Sequence, residues 1–301
     1  MLTSILLPVY NGANYIASSI ETILKQRGNW ELIIQDDCST DDTEILCKKY
    51  LSEKVKYYKN KTSLKCWGTL NEAATHANGE LFRLFSHDDL MLDDDIILSE
   101  AYMINNPDIG LSFTNYDMID QNGSTTGSSL DYIERNNDLK EKMSGSLAAT
   151  KLYKWGCISG SQSNITLRRE VYNKINHFDA NMLYTGDFDL LSRAGIEFGI
   201  AYNPAKTCQI RFHPLQTSAE GARAFTKIKE IKIIIDYLLN HMNSAERREC
   251  EKDFSNIYGY YLIKQPLKQI FKGNFKALKF FIENFGYRKT VNSLLAAFLK
   301  K

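Results

Sequence analysis

Apolar positions fall into two alternating rhythms along the first third of the chain. Thr3 to Val9 is an unbroken apolar, β-rich run, the pattern of a strand buried on both faces, and it closes in the turn residues Pro8-Val9-Tyr10-Asn11-Gly12. Ile16, Ile20, Ile23 and Leu24 then share one face of a helix. Trp30 to Gln35 is a second strand, closed by Asp36-Asp37-Cys38-Ser39-Thr40-Asp41-Asp42. Ser39 or Thr40 is placed to cap the following helix, which carries Ile45, Leu46 and Tyr50. Val55 to Tyr58 predicts a third strand and Leu70 to Ala77 a third helix. After the Asn78-Gly79 turn, Glu80 to Phe85 predicts a fourth strand that delivers Ser86-His87-Asp88-Asp89 at its C-terminal end. This β-α-β-α-β-α-β order predicts an α/β fold with a doubly wound, mostly parallel sheet. Ligands of such sheets bind beyond the C-terminal ends of the strands, where this chain repeatedly puts Asn or Asp.

Beyond Asp89 the alternation is less regular. Leu90 to Asp93 leads into a helix over Ile96 to Ile104, and Ile109 to Phe113 reads as a strand before the hairpin-type turn Gln121-Asn122-Gly123. Ser124 to Ser146 is polar and weakly patterned, which suits a mobile loop. Ser161 to Leu167 alternates like a half-exposed strand. Gly186-Asp187-Phe188-Asp189-Leu190 opens a helix with acids in its first turn, and the strands Phe198 to Tyr202 and Cys208 to Phe212 lead to His213. From Phe225 the pattern is helical. The boundaries that follow are an α/β domain over 1–220, in two parts (1–90 and 91–220), and a C-terminal helical region over 221–301. In that region Lys264, Lys268, Lys272 and Lys276 recur beside apolar positions. Such a row suits peripheral contact with an anionic membrane, and equally a solvated face packed on the core or on a second subunit of a homo-oligomer.

Composition narrows the function. The 301 residues carry a net charge of +1, so nothing pulls the chain as a whole toward nucleic acid. The six cysteines show no C-x-x-C pairing, which fits a reducing compartment better than a disulfide framework or a zinc site. The N-terminal residues have no basic leader, and no stretch reaches the ~18 apolar residues a membrane span needs, so a cytoplasmic protein is expected. Neither G-x-G-x-x-G nor a P-loop follows the first strand, and G-x-S-x-G does not occur; these gaps argue against dinucleotide enzymes, P-loop NTPases and serine hydrolases. A nucleotidyltransferase would want a basic residue in the first turn, and Tyr10 to Tyr15 has none. The adjacent carboxylates Asp88 and Asp89 repel each other, so they point either to a nearby cation or to capping of the following helix.

Five segments taken together carry a resemblance: Pro8-Val9-Tyr10-Asn11, Asp36 to Asp41, Asn71 with Ala77 to Glu80, Ser86 to Asp89, and Gly186 to Leu190. Their order and spacing resemble the family-two glycosyltransferases, inverting enzymes of the A-type nucleotide-diphospho-sugar transferase fold. The resemblance covers about Met1 to Ser218 and leaves out the C-terminal helices; it implies that 1–220 is a catalytic domain, with 1–90 its nucleotide-binding half and 91–220 its acceptor-side half. It implies that Pro8, Tyr10 and Asn11 touch the nucleotide base, that Asp37 accepts the ring N–H of uracil, and that Asn71 belongs to the donor-binding set. Asp36 is then structural, and Ser39 and Asp41 cap. Ser86-x-Asp88 stands in place of the family's D-x-D, with Ser86 a departure. The resemblance gives Asp88 the divalent cation, Mn²⁺ or Mg²⁺, and Ser86 or His87 the ribose. His213 becomes the second ligand to metal or diphosphate, Arg211 a phosphate contact, and Trp155, Gly160 and Ser161 acceptor-side or diphosphate-side residues. Asp187 falls on the position of the general base, Gly186 replaces the usual leading acid, and Asp189 supports the fold through Arg193. The helix N-terminus is expected to lower the Asp187 pKa. The implied activity moves a sugar from a nucleoside diphosphate, UDP foremost, to a hydroxyl of a glycan or lipid-linked saccharide in bacterial surface polysaccharide assembly. A degenerate sugar-nucleotide-binding module is the alternative; Ser86 supports it, and the retained Asp88 and Asp187 oppose it.

Overall fold

The computed structural model describes residues 1–130, 142–214, 225–258, 276–286 and 288. Strand β1 (Thr3–Val9) is buried along its whole length and pairs in parallel with β2 (Trp30–Asp36) and β4 (Leu81–Leu84); β3 (Val55–Lys59) continues the parallel set beyond β2. Successive β1 side chains point to opposite faces and so feed two cores. Ile5, Leu7 and Val9 pack with Ile16, Ile20 and Ile23 of α1 (Ile16–Leu24), on the side that also carries α2 (Thr43–Lys48). Leu6 packs on the other side with Trp67, Leu70 and Ala73 of α3 (Lys65–Thr75). Pro8 sits inside β1, past the last β4 partner at Leu6, so one flank of it needs no donor.

The second half of the sheet is mixed. Strand β8 (Ile165–Arg168) runs antiparallel to both β4 and β6 (Leu111–Ile119), and β6 runs parallel to β9 (Ile200–Arg211). Strand β7 (Thr125–Ser128) forms a hairpin with β6 through the expected turn at Gln121 to Gly123. The order is β3-β2-β1-β4-β8-β6-β9 and then β5 (Leu90–Met91), with β7 on β6. Two elements differ from the sequence pattern. Leu90–Met91 is a short strand, β5, antiparallel to β9, rather than the lead-in to a helix. Helix α4 (Asp95–Asn105) follows Asp94, which has a φ of 66°, and agrees with the expected helix over Ile96 to Ile104. The two late strands are one strand, β9, which absorbs its middle residues through register shifts opposite Asn115. Part of the expected loop at 124–146 is thus β7 and the start of α5 (Gly145–Trp155); residues 131–141 lie outside the described residues.

Short α6 (Arg169–Lys174) precedes α7 (Gly186–Phe198), which packs against α5. The helices α8 (Phe225–Asn240) and α9 (Ser244–Ile257) bury Ile234, Leu238, Cys250 and Phe254 in the same cluster as Leu152 of α5 and Leu191 of α7. The expected boundary at residue 220 therefore does not separate two cores. Helix α10 (Lys276–Phe285) follows; Lys264, Lys268 and Lys272 lie outside the described residues, as does the Lys276 side chain. Among the described residues no helix is long and apolar enough to cross a membrane.

Candidate active site

The C-terminal ends of β1 and β2 are stapled to each other by side chains. The Asn11 N–H donates to Ser39 Oγ at 2.9 Å and Gly12 N–H to Thr43 Oγ1 at 2.9 Å, while Asn11 Oδ1 accepts from Thr40 N–H at 2.9 Å. Asn11 adopts φ 48°, a conformation its short amide tolerates. The residue at the N-cap of α2 is Asp42, without a side-chain cap; Ser39 and Thr40 are drawn into the staple instead of capping. Asp41 does both jobs, accepting from Thr43 N–H at 3.1 Å and Ala13 N–H at 3.0 Å. Tyr10 projects from this rigid turn with 56% of its surface exposed, whereas Pro8 is buried in the strand and can offer a ligand little more than backbone.

Asp36 is structural as expected: fully buried, it accepts from Ser39 N–H and Tyr57 Oη, both at 2.6 Å. Asp37 already holds four donors. Its Oδ1 accepts from Asn60 Nδ2 (2.9 Å) and Leu64 N–H (2.6 Å), its Oδ2 from Ser63 Oγ (2.7 Å) and Lys65 N–H (3.0 Å). Burial pushes this carboxyl up, but these donors outweigh burial and hold it below its usual value, hence ionised. Four bonds fill a carboxylate's acceptor capacity, so a ring N–H reaches Asp37 only by displacing one of them. The hydroxyl of exposed Ser63 is the donor that can rotate away.

Strand β4 delivers the second group of residues. Ser86 Oγ accepts from Gln162 Nε2 at 2.9 Å, and the Ser86 N–H donates to Ser163 Oγ at 2.9 Å. The His87 ring lies against the first turn; a Cβ at Gly12 would come within 2.6 Å of its Cδ2. The pairing of β5 with β9 carries the chain end of β9 to this point, so that His213 Nε2 lies 3.1 Å from Asp88 Oδ2. Tyr15 packs on the imidazole, ring centroids 5.0 Å apart. Asp89 faces inward, accepting from Arg211 N–H at 2.8 Å; burial and then repulsion by Asp88 push its carboxyl well above the usual range. Neither acid caps a helix, because β5 intervenes before α4. The Arg211 guanidinium, 4.8 Å from the Tyr15 ring centroid, donates from Nε to the carbonyl of Asp88 (2.8 Å) and from Nη1 to those of Asp120 (3.1 Å) and Gln121 (3.3 Å). Those bonds pin the β6–β7 turn to the Asp88 loop.

The third group surrounds Asp187 in the first turn of α7. Asp187 Oδ1 accepts from Phe188 N–H at 2.8 Å, yet its pKa is raised, not lowered. Burial outweighs the helix amides, the Cys157 thiol and the more distant Lys227 ammonium. Cys66, at the start of α3, is pushed up to about 12 by burial and by the fields of Asp187, Asp88 and Asp37 together. Its Sγ lies 3.8 Å from Gln162 Oε1, the same side chain that holds Ser86. Gly186 is where an acid would stand in the family, and the Trp67 indole fills that space: a Cβ there would lie 2.6 Å from two of its ring carbons. Asp189 pairs with Arg193 at 2.5 Å, the supporting role expected.

The other expected residues are held as follows. Asn71 Oδ1 accepts from Tyr172 Oη (2.5 Å) and Phe178 N–H (3.1 Å), and its Nδ2 donates to Phe178 O (3.0 Å), so the amide clamps the loop after α6. Trp155 ends α5 with Lys151 over its ring at 4.6 Å, Gly160 lies against the Tyr116 hydroxyl, and Ser161 Oγ accepts from Ser163 N–H at 3.1 Å. Gln162, Ser163, Cys66 and Cys157 were not singled out by sequence reasoning. Only the nearness of Gln162 and Ser163 to Ser161 hinted at them.

The family model for glycosyl transferase family 2 matches residues 4–175. An uncharacterized glycosyltransferase of Rickettsia typhi is 30% identical over 250 residues, which are 81% of this chain and 74% of that protein. The UDP-Glc:alpha-D-GlcNAc-diphosphoundecaprenol beta-1,3-glucosyltransferase WfgD of Escherichia coli is 30% identical over 122 residues, 40% of this chain and 48% of the relative. Residues 1–349 of S. aureus TarS, solved in complex with UDP-GlcNAc, share the fold with a TM-score of 0.72 at 16% identity, over 100% of this chain and 91% of the other.

Proposed function

The chain belongs to glycosyl transferase family 2, and from that membership we propose an inverting, metal-dependent transfer from a UDP-sugar to a hydroxyl of a glycan or lipid-linked saccharide. The product would serve bacterial surface polysaccharide assembly, with the protein working in the cytoplasm or on the inner face of the cell membrane. One observation carries the reading: Asp88 Oδ2 and His213 Nε2, 125 residues apart in the chain, converge to 3.1 Å beyond the C-terminal end of β4. Relatives support the substrate class. The name of WfgD specifies UDP-Glc and a diphosphoundecaprenol acceptor, and TarS was solved with UDP-GlcNAc.

The Tyr10 ring stacks on the base, and Asp37 accepts its ring N–H once Ser63 swings out. His87, beside the first turn, meets the ribose. Asp88 and His213 supply a carboxylate oxygen and an imidazole nitrogen converging on one point, a donor pair that suits Mn²⁺ or Mg²⁺ when diphosphate oxygens and water complete the shell. Among the described residues no group of three or more His, Cys, Asp or Glu is arranged to hold a metal. A bound divalent ion offsets the diphosphate's charge as it leaves. Asp189 is committed to Arg193, which leaves Asp187 as the carboxylate of this segment that faces the acceptor. The acceptor oxygen attacks the anomeric carbon opposite the diphosphate, the bond to diphosphate breaks, and the acceptor proton passes to Asp187. A carboxylate with a raised pKa is a better proton acceptor near neutrality than an ordinary one.

Calorimetry with UDP, GDP, CDP and ADP, each with and without Mn²⁺, tests donor and metal. UDP should bind most tightly, and more tightly with Mn²⁺; Asp88→Asn should remove the metal-dependent part. Equal binding of all four nucleotides, or an unchanged Mn²⁺ effect in the variant, would contradict the reading.

A further inference from the structure

Helix α8 lies beyond the residues the family model matches, yet it reaches the segment that carries Asp187. Glu230 of α8 is 4% exposed. Its Oε1 accepts from Leu183 N–H at 2.7 Å, and its Oε2 accepts from Tyr184 N–H (3.0 Å), Thr185 N–H (3.0 Å) and Thr185 Oγ1 (2.9 Å). Thr185 is the N-cap residue of α7 but makes no side-chain cap there; its hydroxyl goes to Glu230 instead. Three consecutive amides and a hydroxyl, immediately ahead of Gly186 and Asp187, are thus held by one carboxylate from another helix.

A buried carboxylate costs several kcal/mol of lost hydration unless it is fully hydrogen-bonded. An apolar residue would pack α8 on α7 without that cost. The acid contributes direction instead: its two oxygens fix three peptide planes at once, and they are the planes from which α7 starts. The negative end also complements the N-terminal dipole of α7.

We propose that Glu230 is a positioning residue for the transfer, which clamps Leu183 to Thr185 so that Asp187 leaves α7 toward the acceptor hydroxyl. The proposal rests on Asp187 as the base. It makes α8 a working part of the site rather than an outer support.

The test is Glu230→Gln in the full chain, with Thr185→Val as the milder partner that removes one bond of the four. Gln keeps one oxygen but turns an N–H₂ toward an amide donor, so one side of the clamp opens. A displacement of the base by a fraction of an ångström to 1 Å should lower kcat by about 10- to 100-fold. Thr185→Val should lower it less, and UDP-sugar affinity should stay at the wild-type value in both. A third readout is the acid limb of kcat/KM. Asp187 is faced by Cys66 of α3, Cys157, and Lys227 of α8 itself, with burial the dominant influence. Loosening the clamp admits water, so the limb should move to lower pH. Wild-type kcat in folded Glu230→Gln, a loss shared equally by donor affinity, or a variant that does not fold would each overturn the positioning role. Asp187→Asn is measured alongside: if it turns over normally, the base assignment is what fails, and if it is inactive while Glu230→Gln is not, only the role of Glu230 fails.

Discussion

Replacing Gly186 by alanine should destabilise the protein through Trp67. A Cβ at this position would stand 2.6 Å from Trp67 Cδ2 and Cε2 and 2.8 Å from Cγ, where real contacts begin beyond 3 Å. The indole cannot retreat easily. It is 6% exposed and stacks on Phe178 at 5.1 Å between centroids. Overpacking of this kind costs about 1–3 kcal/mol. At about 2–4 °C per kcal/mol for a chain of this size, the melting temperature should fall by about 2–12 °C. Urea unfolding is the assay, with a lower midpoint at unchanged slope as the expected result. The penalty should shrink when Gly186→Ala is made in a Trp67→Leu background, because the obstructing ring is gone; the double-mutant cycle reads that coupling directly. An alanine variant as stable as wild type, or an equal penalty in both backgrounds, would refute the idea that the tryptophan took the space of the family's acid.

Two further outcomes concern the sheet beneath the site. Arg83 and Asp95, both 0% exposed, pair at 2.6 Å, and Arg83→Met should cost about 3–5 kcal/mol by leaving Asp95 buried and unpaired; urea unfolding checks it, and the companion double variant with Asp95→Leu should recover much of the loss. Glu31 ties β2 to the turn at Asn78: burial raises its pKa, but the Asn78 amide, Lys56 and Ser4 reverse that and hold it at about 2. A carboxyl with a depressed folded-state pKa stabilises above its unfolded value of ~4.3, and that stabilisation is lost as pH falls toward about 2. Glu31→Gln should therefore cost about 1–3 kcal/mol at neutral pH and lose little more on acidification, which a pH series of melting curves would show.

The parallel half of the fold was legible because β1, β2 and β4 are buried on both faces and punctuated by turn residues, so pattern alone marks them. The mixed half was not. Leu90–Met91 is a strand only because β9 lies beside it, a pairing over 100 residues away in the chain that no local pattern carries. The resemblance brought Asp88, His213 and Asp187 to notice, and the fold brings Asp88 and His213 into contact. A polar side chain at a motif position can also be engaged by its own surroundings: Asn71 holds Tyr172 and Phe178, and Arg211 holds the carbonyls of Asp88, Asp120 and Gln121. The direction of the Asp187 pKa failed for a related reason. Helix amides lower a carboxyl, but burial is invisible in sequence and is larger. Glu230 gave no signal at all: it is one acid in an ordinary amphipathic helix, and only the amides it meets distinguish it.

The most direct measurement is turnover and donor affinity in one variant, Asp187→Asn, with UDP-sugar binding by calorimetry and transfer assayed across pH. The wild-type rate should fall as pH drops through the raised pKa of Asp187, because protonation removes the acceptor for the hydroxyl proton. The folded variant should lose about 10²–10⁴-fold in kcat and its acid limb with it, while binding the donor as wild type does. Full activity in Asp187→Asn, or an activity loss matched by loss of donor binding, would contradict an acceptor-activating carboxylate at this position.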